Sequence, residues 1–186
     1  MKLGLYGGSF DPIHHGHLIL ARQALEELKL DALVFIPAAE SPFKPNHTIA
    51  PAQDRLAMVR LAIEMEQYFG IDPIEIEREA PSYTIHTARA YRARNPTDEL
   101  FFLIGEDHVE SLPRWNEFNE LKQIVQFVIL SRSERCWPED YPVIRKRIEL
   151  SSTEIRNRVA KKQPISYLVP EKVLHYIIDK NLYQGH

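Results

Sequence analysis

The first part of the chain, residues 1–37, alternates strand-like and helix-like segments around a loop rich in glycine and histidine. Leu3–Tyr6 is a short apolar run, apolar residues recur at helical spacing over His17–Leu30, and Ala32–Ile36 is a second apolar run. A strand, a helix and a strand in so short a span predict a βαβ unit. Such units form parallel sheets with right-handed crossovers, so this feature constrains the fold more than any other.

The same alternation continues along the rest of the chain. Helices are predicted over Ala52–Phe69, Ser82–Arg94, Glu117–Ile124 and Thr153–Ala160, with a last one from Pro170, and strands over Asp72–Ile76, Leu100–Ile104, Gln126–Leu130 and Ile148–Leu150. We expect one domain over residues 1–186, an α/β fold with a doubly wound parallel sheet and a small helical C-terminal segment. The ligand of such a sheet lies at the carboxyl ends of its strands.

Composition narrows the class of protein and its surroundings. The net charge of −3 does not favour a nucleic-acid partner, and Cys136, as the single cysteine, excludes an intrachain disulfide. No apolar run approaches the ~20 residues of a membrane span, and the apolar start is too short for a signal peptide. We therefore expect a soluble cytoplasmic protein. The sequence leaves its oligomeric state open, a homo-oligomer included.

Three glycines and three histidines fall within Gly7–His17, between the first strand and the first helix. Glycines let the backbone approach a ligand closely, imidazoles donate hydrogen bonds, and the free N–H groups of a helix start attract anions. The segment therefore predicts a phosphate site, although neither the G-x-G-x-x-G pattern nor a Walker loop occurs. The alternatives are a histidine pair satisfied in a turn and a zinc site, but no cluster of cysteines or carboxylates supports tetrahedral zinc.

A second anion site is predicted near the other end of the chain. In Ser151–Arg156, hydroxyl groups stand at a helix start and an arginine follows one turn later. The alternative is an ordinary capped amphipathic helix, but that reading does not account for the first motif about 135 residues away.

Both segments resemble motifs of the adenylyltransferases that make dinucleotide cofactors. Gly7–His17 is similar to their G-G-x-F-D-P-x-H-x-G-H pattern, and Ser151–Arg156 is similar to their I-S-S-T-x-I-R pattern, with Leu150 in place of the leading isoleucine. The resemblance implies that His17 stabilises the α-phosphate of ATP as pyrophosphate leaves, with His14 assisting. The ATP-binding residues that it implies are Gly8, Ser9, Phe10, Gly16, Gly105, Asp107, Ser152, Thr153 and Arg156.

The middle of the chain resembles the bacterial nicotinate mononucleotide adenylyltransferases in particular. Pro81–Thr87 is similar to their P-S-Y-T-x-D-T, Leu103–Asp107 to their L-I-G-x-D, and Leu112–Trp115 to their L-P-x-W. The resemblance runs from residue 1 to about 180. It implies a Rossmann-like nucleotidyltransferase that makes deamido-NAD and pyrophosphate from ATP and nicotinate mononucleotide. Mg²⁺ would come with the triphosphate, and no metal would be held by the protein itself.

Four residues are the candidates for holding the acceptor. The flat face of Trp115 can stack on a pyridinium ring, backbone N–H groups at Tyr83 and Thr84 can bind the nicotinate carboxylate, and Lys44 can approach the acceptor phosphate. Asp107, past the end of an apolar strand, is placed for ribose hydroxyls. The alternative roles are a core residue for Trp115, a solvated side chain for Lys44 and a helix cap for Asp107.

The chain departs from the family pattern at Phe43, His86 and Glu106, where we expect the acceptor to be recognised. Family members carry histidine, aspartate and a small residue there, so the preference between nicotinate and nicotinamide stays open. The rival functions are a sister adenylyltransferase that prefers nicotinamide mononucleotide and a nucleotide sensor without chemistry.

Overall fold

Six strands form one parallel sheet in the computed structural model, which describes residues 1–39, 49–78 and 82–184. The strands are β1 Lys2–Gly8, β2 Ala32–Pro37, β3 Phe69–Ile71, β4 Glu99–Gly105, β5 Gln126–Ser131 and β6 Val143–Arg145. Their order across the sheet is β3-β2-β1-β4-β5-β6, with every neighbouring pair parallel. The predicted doubly wound α/β fold is confirmed.

Helices cover both faces of the sheet and divide the core in two. They are α1 His15–Glu27, α2 Ala52–Ile63, α3 Thr84–Arg94, α4 Phe118–Ile124, α5 Ser152–Ala160 and α6 Glu171–Asp179, with a 3₁₀ helix over Glu106–Arg114. The helices α1, α2, α5 and α6 contribute to one apolar cluster, whereas α3, α4 and the 3₁₀ helix contribute to the other. Successive residues of a strand point to opposite faces of the sheet and so enter different clusters, as Phe102 and Leu103 of β4 do.

The order of the strands reverses between β1 and β4. After β1 the chain builds β2 and β3 on one side, then returns through α3 to place β4 on the other side of β1. A crevice opens at such a reversal, outside the carboxyl ends of the strands. The loop after β1 and the segment after Gly105 both begin at this crevice.

The third strand differs from its prediction. Helix α2 ends at Ile63 rather than Phe69, and β3 is Phe69–Ile71, whereas the predicted strand Asp72–Ile76 is a turn. The turn forms because the Asp72 carboxylate accepts a hydrogen bond from the Ile74 N–H at 2.9 Å and the Pro73 carbonyl accepts one from Ile76 at 2.8 Å. These local bonds replace the bonds that a strand would make with its neighbour.

The last strand is also displaced along the sequence. The predicted strand Ile148–Leu150 is wrong, because Val143–Arg145 takes the edge of β5 instead. Ile148 and Leu150 are held by packing of their side chains on the core. Among the described residues no helix is both long and apolar enough to cross a membrane.

Candidate active site

A cavity of about 310 Å³ lies at the carboxyl ends of β1 and β4. Residues from both predicted phosphate motifs and from the middle of the chain line it. From the described part of the chain, the predicted site residues around the cavity are His14, His17, Gly8, Ser9, Phe10, Gly16, Gly105, Asp107, Ser152, Thr153, Arg156, Tyr83, Thr84 and Trp115. The remaining candidate, Lys44, lies outside the described residues.

The two histidines of the first motif form a stacked pair at the start of α1. Their ring centroids are 3.7 Å apart with the planes inclined by 24°. The backbone N–H of His14 donates to Nδ1 of His17 at 3.2 Å. Because Nδ1 of a neutral imidazole that accepts a hydrogen bond carries no proton, the proton of His17 is on Nε2. His17 is thus prepared as a hydrogen-bond donor through Nε2.

Burial keeps both imidazoles uncharged. Desolvation, followed by the positive charge of Arg132, lowers the pKa of His14 to about 3. Desolvation also lowers the pKa of His17 well below its ordinary value, and His14 and Arg132 add to the effect. Nδ1 of His14 is buried without a hydrogen-bond partner among the described residues. Buried polar atoms are rarely left unpaired, which indicates a place where a ligand or water completes the site.

Gly16 permits the position of the His14 ring. A Cβ atom on Gly16 would lie 3.0 Å from both Nδ1 and Cε1 of that ring. Such a contact is tighter than ordinary packing, so a side chain here would push the imidazole out of its stack on His17. The family resemblance implied only that Gly16 binds ATP, whereas this steric requirement depends on where the His14 ring lies in the folded protein.

Hydrogen bonds join the two motifs directly. The Ser152 hydroxyl donates to the Pro12 carbonyl at 2.9 Å, and Nη1 of Arg156 donates to the Asp11 carbonyl at 2.7 Å. Nη2 of Arg156 also reaches the Thr153 hydroxyl at 3.2 Å. The beginning and the end of the chain therefore meet at one edge of the cavity.

The Asp11 side chain connects the first motif to distant parts of the chain. Its buried carboxylate accepts hydrogen bonds from the N–H groups of Ile49 and Ala50, at 2.8 and 3.1 Å, and from the Tyr183 hydroxyl at 2.8 Å. Nη1 of Arg156 lies 3.9 Å from the same carboxylate. Three distant parts of the chain thus meet around one side chain.

A buried arginine that the sequence analysis missed holds the same loop. The Arg55 guanidinium, fully buried, donates to the carbonyls of Ser9 and Ala38, both at 2.7 Å, and to those of Ala39 and Ala50 at 3.0 and 3.2 Å. Burial lowers its pKa from the ordinary value. The sequence did contain a signal, because Arg55 lies three and four positions before the buried Met58 and Val59, on the apolar face of α2.

Arg132 is the second missed residue. It follows β5 directly, lines the cavity, and donates through Nη1 to the Leu150 carbonyl at 2.9 Å. Its charge acts on both His14 and His17. The argument that singled out Asp107, a polar residue just past the end of a buried strand, applies equally to Arg132 and could have found it.

The acceptor side of the cavity is built from the start of α3 and from Trp115. Tyr83 precedes the first residue of α3, Thr84, so the free N–H groups of that helix face the cavity. Trp115 packs edge-to-face on Phe102 and Phe127, at centroid distances of 6.4 and 5.9 Å. It therefore belongs to the core and also lines the cavity.

A buried carboxylate, Glu75, lines the same side and was also missed. Its Oε1 accepts a hydrogen bond from the Thr87 hydroxyl at 2.8 Å. Desolvation raises its pKa above the ordinary value, although this hydrogen bond and the charge of Arg78 oppose the effect.

Two of the three departures from the family pattern lie in the described residues. Neither His86 nor Glu106 is among the described residues that line the cavity. The Glu106 carboxylate instead accepts hydrogen bonds from the hydroxyls of Ser131 and Ser133, at 2.8 and 2.7 Å. It therefore faces the end of β5, away from the acceptor side where we expected it. Phe43 lies outside the described residues.

Comparison with known proteins identifies close relatives over the whole length. The family model described as cytidylyltransferase-like matches residues 5–158. The chain is 43% identical to the probable nicotinate-nucleotide adenylyltransferase of Methylacidiphilum infernorum, covering 98% of this chain and 92% of that protein. It is 39% identical to the nicotinate-nucleotide adenylyltransferase of Bacillus subtilis, covering 99% of both.

The fold also matches a solved structure. The Plasmodium falciparum nicotinic acid mononucleotide adenylyltransferase, solved in complex with NaAD, superposes with a TM-score of 0.81. The match covers 98% of this chain and 97% of that one at 20% identity. At that identity the superposition supports the fold.

Proposed function

The chain belongs to the cytidylyltransferase-like family, and within it to the nicotinate-nucleotide adenylyltransferases, and we propose that its cavity transfers the adenylyl group of ATP to nicotinate mononucleotide. An oxygen of the acceptor phosphate forms a bond to the α-phosphorus of ATP. The bond from that phosphorus to the bridging oxygen breaks, and its electron pair leaves with pyrophosphate. The products are deamido-NAD and pyrophosphate. The observation that carries this proposal is the hydrogen-bonded meeting of the two phosphate motifs at one cavity.

In this proposal His17 is the principal catalytic residue. Its neutral imidazole donates from Nε2 to a non-bridging oxygen of the α-phosphate, where negative charge develops as pyrophosphate leaves. His14 supports the ring of His17 by stacking and supplies the backbone N–H that fixes its tautomer. Because the donor is positioned before the substrate arrives, little reorganisation is needed during the reaction.

The ATP side is assigned to both ends of the chain. Ser152, Thr153 and Arg156, at the N-terminus of α5, bind the β- and γ-phosphates. Gly8, Ser9, Phe10 and Gly16 form the wall against the α-phosphate and adenosine, while Gly105 and Asp107 hold the ribose. The contact from Arg156 to the Asp11 carbonyl keeps the guanidinium close to the first motif.

The acceptor side is assigned to the middle of the chain. The pyridinium ring of nicotinate mononucleotide stacks on Trp115, and its carboxylate accepts hydrogen bonds from the free N–H groups at Tyr83 and Thr84. Lys44 is proposed to approach the phosphate of the acceptor.

Mg²⁺ is proposed to accompany the triphosphate. The described residues contain no group of three histidine, cysteine, aspartate or glutamate side chains that could hold a metal. The donor set therefore fits an ion held by phosphate oxygens and water, as Mg²⁺ often is. When bound there, Mg²⁺ neutralises phosphate charge. We further propose one nucleotidyltransferase domain over residues 1–186, acting in the cytoplasm on small molecules, with a homo-oligomer as one assembly to test.

Release of pyrophosphate tests this function. Purified protein is given ATP and Mg²⁺ with nicotinate mononucleotide, nicotinamide mononucleotide or phosphopantetheine. We expect the highest kcat/KM with nicotinate mononucleotide. Preference for the amide would assign the chain to the sister activity, and ATP binding without pyrophosphate release from any acceptor would indicate a sensor.

A further inference from the structure

Glu106 connects the ends of two neighbouring strands. It is the first residue of the 3₁₀ helix after β4, and its Oε2 accepts hydrogen bonds from Ser131, the last residue of β5, and from Ser133, at 2.8 and 2.7 Å. Arg132 lies between these two serines, and its positive charge also acts on the carboxylate. A single carboxylate thus binds the two residues on either side of Arg132.

The surroundings keep this carboxylate ionised and its partners fixed. Desolvation alone would raise the pKa of Glu106, but the hydrogen bonds from Ser133 and Ser131 and the positive charge of Arg132 outweigh it, so the pKa lies below its ordinary value. The Ser131 hydroxyl, fully buried, also accepts a hydrogen bond from Nε1 of Trp137 at 3.1 Å. The segment after β5 is therefore held in place through the hydroxyls of both serines.

Arg132 reaches from this segment to the phosphate motifs. Nη1 donates to the carbonyl of Leu150, the residue before the N-cap of α5, at 2.9 Å. The same side chain lines the cavity and lies close enough to lower the pKa of both His14 and His17. It is a cation placed between the histidine pair and the second motif, and among residues 1–39, 49–78 and 82–184 its remaining guanidinium N–H groups have no hydrogen-bond partner and can donate to an anion.

We propose that Arg132 binds the phosphates of ATP and that Glu106 is the positioning residue that holds Arg132 there. The proposal rests on the proposed function and assigns to it two residues from the ends of β4 and β5.

The proposal is tested by measuring the KM for ATP in single and double variants of Arg132 and Glu106. Arg132→Ala is expected to raise the KM for ATP more than tenfold, as the loss of a charge-assisted hydrogen bond does. Glu106→Ala is expected to raise it about tenfold, and Glu106→Gln, which keeps one accepting oxygen, by less. In the Arg132→Ala background, Glu106→Ala is expected to change it by less than about twofold, because both variants remove the same contact. The KM for the acceptor is expected to stay near its original value in all four.

Glu110 offers a matched control. It belongs to the same 3₁₀ helix and also contacts the segment after β5, through Nη2 of Arg135 at 2.7 Å, but both side chains are largely exposed. Glu110→Ala is expected to leave the KM for ATP unchanged. Thermal melting of each variant identifies any that fail to fold, and Glu106→Gln then carries the comparison.

Three results would overturn the proposal: an unchanged KM for ATP in Glu106→Ala, equal rises in the KM for ATP and for the acceptor, or the same effect of Glu106→Ala with and without Arg132. Direct titration with ATP separates this proposal from the function. Weaker ATP binding in these variants would support the proposal even if the enzyme formed no pyrophosphate from ATP and nicotinate mononucleotide. Unchanged ATP binding in variants of an active enzyme would refute the roles of Arg132 and Glu106 and leave the proposed function intact.

Discussion

The two sides of the cavity are built in different ways. On the ATP side, side chains from one end of the chain bond to carbonyls of the other, as Ser152 does to Pro12 and Arg156 to Asp11. On the acceptor side, the described features include the helix start at Tyr83, the packing of Trp115 on aromatic neighbours and the Thr87–Glu75 hydrogen bond. Hydrogen bonds between distant parts of the chain thus fix the wall where we propose the triphosphate, whereas aromatic packing and the buried Glu75–Thr87 hydrogen bond support the wall where we propose the acceptor.

The largest effect is expected on the ATP side, from His17→Ala. Loss of one positioned donor to the α-phosphate should lower kcat by roughly 10²–10³-fold. The rate of pyrophosphate release at saturating substrates measures it. His15→Ala, in the same motif but not among the described residues that line the cavity, is the control and should keep its rate. A His17→Ala variant with full kcat would remove this residue from the mechanism.

Arg156→Ala is expected to act on ATP binding more than on the acceptor. It removes a guanidinium that bridges Asp11 and Thr153, and the loss of a charge-assisted contact to phosphate should raise the KM for ATP by roughly 10–100-fold. Steady-state kinetics with each substrate varied in turn measures this split. Arg158→Ala, two residues along α5, serves as the control. Equal rises for both substrates would mean that the two sides are not separate.

The histidine pair should also make stability depend on pH. The pKa of His14, about 3 in the folded protein, is below its value of 6.5 when exposed, so the folded state binds fewer protons between these values. The free energy of unfolding should therefore fall as the pH drops below 6.5, by about 2 kcal/mol at pH 5 for this residue alone.

Denaturant unfolding at several pH values between about 7 and 5 measures that slope, which should be shallower in His14→Asn. His175→Asn, on the exposed face of α6, is the matched control. The same slope in the wild type and in His14→Asn would show that His14 is not held neutral in the folded protein.

The smallest of these effects is expected on the acceptor side. Trp115→Ala should raise the KM for nicotinate mononucleotide by roughly tenfold, the loss of one stacked cation–π contact, and change that for ATP much less. The KM of Trp115→Phe for nicotinate mononucleotide should lie between those of the wild type and Trp115→Ala, because phenylalanine keeps an aromatic face. A larger effect on ATP than on the acceptor would reverse our assignment of the two sides.

Regular alternation of long apolar segments made most of the fold predictable. The strands β1, β2, β4 and β5 were found because each is a continuous buried run, and the two motifs were found because their residue types are unusual. The strands β3 and β6 have three residues each, too few for a pattern to reveal, and the local bonds of Asp72 and Pro73 decide where β3 ends.

Tertiary contacts explain why sequence reasoning missed two of the site residues. Arg55 and Glu75 are buried charges whose partners are distant carbonyls and a hydroxyl, and a single sequence does not show which carbonyls will meet. Glu106 was noticed as a departure but expected on the acceptor side. Only the pairing of β4 with β5 brings the residue after Gly105 next to Ser131.

The central claim is that both ends of the chain hold one triphosphate. A crystal structure of the protein with a non-hydrolysable ATP analogue tests it most directly. We expect Nε2 of His17 within hydrogen-bond distance of an α-phosphate oxygen, and the β- and γ-phosphates at Ser152, Thr153 and Arg156. A triphosphate that contacts only one of the two motifs would contradict it.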